Sequence, residues 1–159
     1  MSGTNVNVMV RPGRASARRM STAGLAILGA AATAIYGAYG DPSAKASQEH
    51  AVPFIVAADA VMALLIFGLL VGWARRSATR SAGVGLALAA VGLVAIPIAF
   101  WSGMVIVVAT AGIALGLSAR RVAASAGRSA GLATTAVSIG VAALVVSTAL
   151  VVLGNTVLA

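Results

Sequence analysis

The chemistry available to this chain is narrow. Among its 159 residues are three carboxylates, one histidine, one lysine and no cysteine, and a single one of these ionisable groups, Asp59, falls inside a long apolar stretch. An acid at such depth is costly to bury, faces a bundle interior or a water-filled cavity, and is by default a functional candidate that exchanges a proton or a cation. Counted from Ala51, Asp59 lies eight residues, roughly 12 Å, along its stretch. At similar depth the other stretches would present Thr33, Thr110, and Ser147 or Thr148, whose hydroxyls suit a carboxyl partner. No lysine, arginine or histidine stands inside any apolar stretch to pair with it. A dry Asp59 is therefore expected as the neutral acid, and an ionised one requires water. Two roles follow: a proton- or cation-coupling carboxyl in a small transporter, or, more plainly, a protonated aspartate donating one interhelical hydrogen bond.

The other polar cluster is Asp41, Gln48, Glu49 and His50. All four are able to ligate a metal, but their spacing fits no compact binding loop. Asp41-Pro42 is turn chemistry, Ser47 suits a helix cap, and Glu49 in a first turn complements the helix dipole. No metal or other cofactor is expected. Phosphate loop, dinucleotide fingerprint, HExxH and nucleophile elbow are all absent from the sequence. With so few reactive side chains a catalytic constellation is not expected, and the chain reads as a non-enzyme.

The elements that must position Asp59 follow from composition. Sixty per cent of residues are hydrophobic, 9% are charged and the mean hydropathy is +1.03, against about a quarter charged in a soluble domain. This predicts an all-α integral membrane protein and excludes a soluble enzyme. The absence of cysteine excludes disulfides and thiolate metal sites. Uncharged blocks then set the spans, since a crossing needs about 20 residues. The first block is one helix, 21–40, with Tyr36 and Tyr39 at its far end. The second, 51–74, opens near Pro53 and closes at Trp73. The block from Ser81 to Ala119 is 39 residues long, about 58 Å as a helix, and must turn back on itself. Pro97, Phe100, Trp101, Ser102 and Gly103 supply the turn, giving spans at 82–100 and a short 103–119. The last span is expected at 131–153, making a single membrane domain of five transmembrane helices over 20–159.

Ten arginines lie on one side of this arrangement and only Lys45 on the other. Cytoplasmic segments accumulate basic residues, which predicts a cytoplasmic N-terminus and an outside C-terminus. Residues 1–19 read as a basic cytoplasmic tail. The alternative for the first helix is a signal peptide with small-residue cleavage positions at Ala30, Ala32 and Ala34. The net charge of +8 does not argue for nucleic acid, because the arginines sit in short clusters beside membrane-entering helices. They favour anionic headgroups instead, at about 1 kcal/mol per basic residue near the surface. Arginine in place of lysine and abundant alanine fit a GC-rich bacterial gene, hence a bacterial inner membrane.

In lipid, helices associate by close packing and interhelical hydrogen bonds. The first helix offers Ala26, Ala30, Ala34 and Ala38 on one stripe and Gly29, Thr33 and Gly37 on the next. Gly68 with Gly72, and Gly112 with Gly116, have the GxxxG spacing, although 18 glycines produce such pairs by accident. Their positions suggest a fit between the second and fourth helices, with a homodimer face as the alternative. An internal duplication is also suggested: Ala74-Arg75-Arg76 followed by Arg80-Ser81-Ala82-Gly83 matches Ala119-Arg120-Arg121 followed by Arg128-Ser129-Ala130-Gly131. It predicts that helices two and three superpose on helices four and five. The functional expectation is an accessory, assembly or regulatory component acting through the bilayer, another membrane protein or its own copies. The alternative is a small oligomeric transporter or channel using Asp59.

Overall fold

The computed structural model describes residues 12–39, 46–99, 101–127 and 129–157, and the described residues are almost entirely helical. In chain order they form α1 (Pro12–Tyr39), α2 (Ala46–Leu65), a π turn (Ile66–Leu70), α3 (Val71–Ala74), α4 (Ala78–Ala99), α5 (Met104–Ser125) and α6 (Gly131–Val157). The segment from α2 through the π turn to α3 is one continuous rod. Five helices are therefore long and apolar enough to cross a membrane, as the block lengths predict.

Several ends differ from the sequence reading, for one common reason. Charge marks where hydrocarbon must stop, but arginine is a good helix former, so the helices run on through it. Helix α1 begins at Pro12, so residues 12–19 are helical instead of belonging to a separate tail. Helix α4 begins before Arg80, and α5 continues past Arg120 and Arg121 to Ser125. The fourth helix is thus 22 residues long instead of short. The helix that carries the second span starts at Ala46, ahead of the span itself at His50, which places Pro53 inside the helix and not in its first turn. The turn between α4 and α5 falls at Trp101-Ser102-Gly103 as predicted, whereas Pro97, also expected in the turn, lies inside α4. The expected turn at Asp41-Pro42 and the residues before Pro12 lie outside the described residues.

Helix α5 is the axis of the bundle. Half of its span is covered, against 22 to 28% for the other four. Helices α4, α5 and α6 pack mutually, and α1 pairs with α2 and docks on α5. One face of α5, Val107, Ala111 and Leu115, joins Ala23, Ala26 and Ala30 of α1 and Ala63, Phe67, Val71 and Ala74 of the second rod in one core. Its other face, Val105 and Ala109, meets Ile96 of α4 and Ala143 of α6.

Glycine decides how closely this second face packs. A Cβ on Gly112 would lie 2.9 Å from both Gly85 O and Ala89 N, and one on Gly116 would lie 2.9 Å from Ala133 O. The backbones of α4 and α6 therefore touch that of α5 directly. Gly85, Gly92 and Gly140 complete the contact: Gly140 faces Ala109 O at 3.2 Å and Gly92 faces Ala109. Gly112 faces α4 and Gly116 faces α6, not the second helix. Gly68 has nothing within 4 Å of its Cβ position and is exposed, and Gly72 is half-buried. The second rod does pack on α5, but through Ala63, Phe67, Val71 and Ala74 and not through a fit of the two glycine pairs, because the partner of a glycine is set by which backbones converge.

The two halves of the apparent duplication also pack differently. The second rod meets α4 only through α3, whereas α5 and α6 pack along their length. At the α3 end the junction is tied by polar contacts: Ser81 Oγ donates to Ala74 O at 3.2 Å, and the Arg80 guanidinium lies 5.2 Å from the Trp73 ring centre.

The π turn has a packing reason. Asp59, Ala63, Phe67 and Val71 are all buried at steps of four residues, and each such step overshoots a full α-helical turn by about 40°. One wider turn takes up the overshoot and keeps the four side chains on a single stripe.

Candidate functional site

Asp59 is 3% exposed and lies on that stripe, facing inward. Opposite it is the turn from α4 into α5. The sequence there, Trp101-Ser102-Gly103-Met104, makes a self-satisfied corner. Ser102 Oγ donates to Ala99 O at 2.8 Å and accepts from Met104 N at 3.3 Å, while Gly103 O accepts from the N–H groups of Ile106 and Val107 at 3.0 and 3.3 Å. Gly103 itself has φ +81°, a left-handed conformation that favours glycine.

Space makes the same demand as conformation. A Cβ on Gly103 would lie 2.6 Å from Ala30 O, 2.7 Å from Asp59 Oδ2 and 2.8 Å from Ala30 Cα. Three elements thus converge on one glycine: α1 through its backbone at Ala30, the second rod through the Asp59 carboxyl, and α5 through its N-terminal end. Helix α1 reaches this point on its small residues, with Gly29 facing Ile106 Cγ2 and Gly37 facing Trp101 O at 3.3 and 3.7 Å. Its buried stripe is Ala23, Ala26, Ala30 and Ala34, matching the sequence reading at three of the four expected positions; the Ala38 side chain lies outside the description.

Asp59 Oδ2 is buried without a hydrogen-bond partner. The hydroxyls expected beside it are distributed as follows. Thr33 is half-buried on α1 and donates to Gly29 O at 2.9 Å within its own helix. Thr110 is half-buried seven residues beyond Gly103, about 10 Å down α5, and does not share the level of Asp59. Thr148 is exposed. Ser147 is fully buried, and its Oγ also lacks a partner. Because Gly140 faces Ala109 across antiparallel helices, seven further residues bring Ser147 level with Ser102. None of the four hydroxyls bonds to Asp59 Oδ2.

Sequence reading singles out Asp59 but misses its true surroundings. Ala30 appears there only as packing and Gly103 only as part of a turn. The signal present in the sequence is a Ser-Gly step opening an apolar helix, where a positive φ and a close approach both call for glycine.

A single buried carboxyl group of this kind is chemically able to bind or release a proton or a small cation. Among the described residues no cluster of three histidine or carboxylate side chains comes together. His50 is exposed, and Asp41 lies outside the described residues. Compared with known protein families, with characterised proteins and with solved structures, the chain matches none.

Proposed function

We propose that the chain is a multi-pass protein of a bacterial inner membrane, with its N-terminus in the cytoplasm and its C-terminus outside. There it acts without catalysis as an accessory, assembly or regulatory component through membrane partners. The observation that carries this reading is the distribution of covered surface. The centre of the bundle is filled by α5, whose backbone touches α4 and α6 at Gly112 and Gly116, leaving little room for a translocation path within one protomer. The outer faces of the other four spans remain largely uncovered and are apolar, suited to lipid or to helices of another protein. The orientation rests on the arginines, which accumulate where cytoplasmic loops require them.

The test is in-cell crosslinking of a C-terminally tagged chain, followed by native sizing and mass spectrometry. A different protein recovered in stoichiometric amount supports this reading, and that partner's chemistry becomes the process to follow. A homo-oligomer with nothing attached favours the second reading, a small oligomeric transporter or channel in which Asp59 couples to protons or cations. Its specific support is the buried, unpartnered Oδ2. Asp59-dependent proton or cation flux in liposomes would establish it, and unchanged flux in Asp59→Asn would remove it.

A further inference from the structure

Two oxygens, Ala30 O and Asp59 Oδ2, lie 2.6 and 2.7 Å from the Cβ position of Gly103, and Asp59 Oδ2 has no hydrogen-bond partner. Ala30 O is an acceptor, and so is the carboxyl as long as it is ionised, and two such groups facing one gap in an apolar interior repel. The Cα–H of Gly103 projects into the gap, and such a group is only a weak donor. The Cβ position lies at bonding distance from Gly103 Cα, so nothing else sits at that point itself. Ala30 O spends one lone pair in its own helix and keeps the second. One species satisfies both oxygens without needing room, namely a proton on the carboxyl.

We infer that Asp59, Ala30 and Gly103 form a proton-binding site in which Asp59 is held as the neutral acid and donates its proton to the Ala30 carbonyl oxygen across Gly103. The bond ties the second span to the first at the place where both meet the start of α5. Gly103 is a positioning residue: its missing side chain makes the approach possible. The helix start alone would not define a site, but the aspartate aimed at it is 97% buried and otherwise unpartnered. The inference does not depend on which partner or substrate the chain serves, because it concerns the protonation state of a resident group.

Infrared spectroscopy of the full chain in proteoliposomes at neutral pH tests it directly. The expected result is a carbonyl band of a hydrogen-bonded carboxylic acid that shifts in D2O, disappears in Asp59→Asn, and survives Asp41→Asn and Glu49→Gln. Gly103→Ala fills the point of convergence and is expected to shift or abolish the band. If only carboxylate bands appear in the native chain, Asp59 is ionised, with water or a cation at the site, and the inference fails. An acid band at the position of an unbonded group, indifferent to Gly103→Ala, overturns the bond to Ala30. The native-chain measurement stands even if Gly103→Ala does not fold.

Discussion

Helices α4, α5 and α6 meet backbone to backbone at glycines, whereas α1 and the second rod meet each other and α5 through alanine, valine and phenylalanine side chains and a buried carboxyl group. The first region resembles a solid block: Gly85, Gly112, Gly116 and Gly140 leave no space for even one added methyl group without displacing a neighbour. The second contains the buried aspartate and the π turn. The difference teaches that the chain divides its labour between close backbone packing, which in lipid would supply association that the hydrophobic effect does not, and the proposed polar contact at Asp59, which would fix where the outer pair docks.

The largest expected effect comes from breaking the block. Gly112→Leu drives a side chain into Gly85 O and Ala89 N, both backbone, and exceeds the about 1–3 kcal/mol of ordinary overpacking. Loss of monodisperse folded protein in detergent is expected, read by size-exclusion chromatography and circular dichroism. Next is Gly103→Ala, which combines a left-handed backbone position, about 1–2 kcal/mol for a side chain, with contact against Ala30. It should separate the outer pair from an intact block, seen as increased proteolysis within α1 and α2 and protection of α4 to α6. Asp59→Ala removes one hydrogen bond of about 1 kcal/mol and lowers the unfolding midpoint. Asp59→Asn retains a donor and should stay close to the native midpoint. Smaller still is Arg80→Ala, which removes a cation–π contact worth about 0.5 kcal/mol at an exposed site. At the far end, Gly83→Ala meets open space in a helix and should stabilise by up to about 1 kcal/mol. A destabilising Gly83→Ala would show that α4 has a neighbour on that face.

Much of the architecture is legible in the sequence because it depends on local quantities. Block length sets five spans, the Trp101-Ser102-Gly103 corner sets the turn between α4 and α5, and the alanine spacing of α1 sets its buried face. Asp59 is legible as the exceptional residue because it is the only acid in an apolar stretch. The remainder depends on which surfaces meet. Gly112 and Gly116 share a spacing with Gly68 and Gly72, yet only the former pair closes on backbone, since the convergence of α4 and α6 on α5 is a tertiary event. The true small-residue signature is the three- and four-residue spacing of Gly85, Ala89 and Gly92 and of Ala133, Ala136, Gly140 and Ala143, which a search for GxxxG alone overlooks. The surroundings of Asp59 are hidden for the same reason: depth counting compares hydroxyls on separate helices, while the groups that meet beside the carboxyl at Gly103 are the backbone of Ala30 and a turn without a side chain.

Because the chain contains no cysteine, paired substitutions report proximity without background. The most direct test of the packing is the double variant Gly92→Cys with Ala109→Cys, run beside Gly68→Cys with Val108→Cys, one turn of α5 from Gly112 where a cysteine side chain fits, both oxidised in native membranes. The Cβ position of Gly92 lies 3.5 Å from Ala109 Cβ, within the range of a disulfide. Rapid intramolecular crosslinking of the first pair and none within the second is the expected result. An intramolecular bond between positions 68 and 108, with none between 92 and 109, would place the glycine face of the second helix against α5 and would contradict the account.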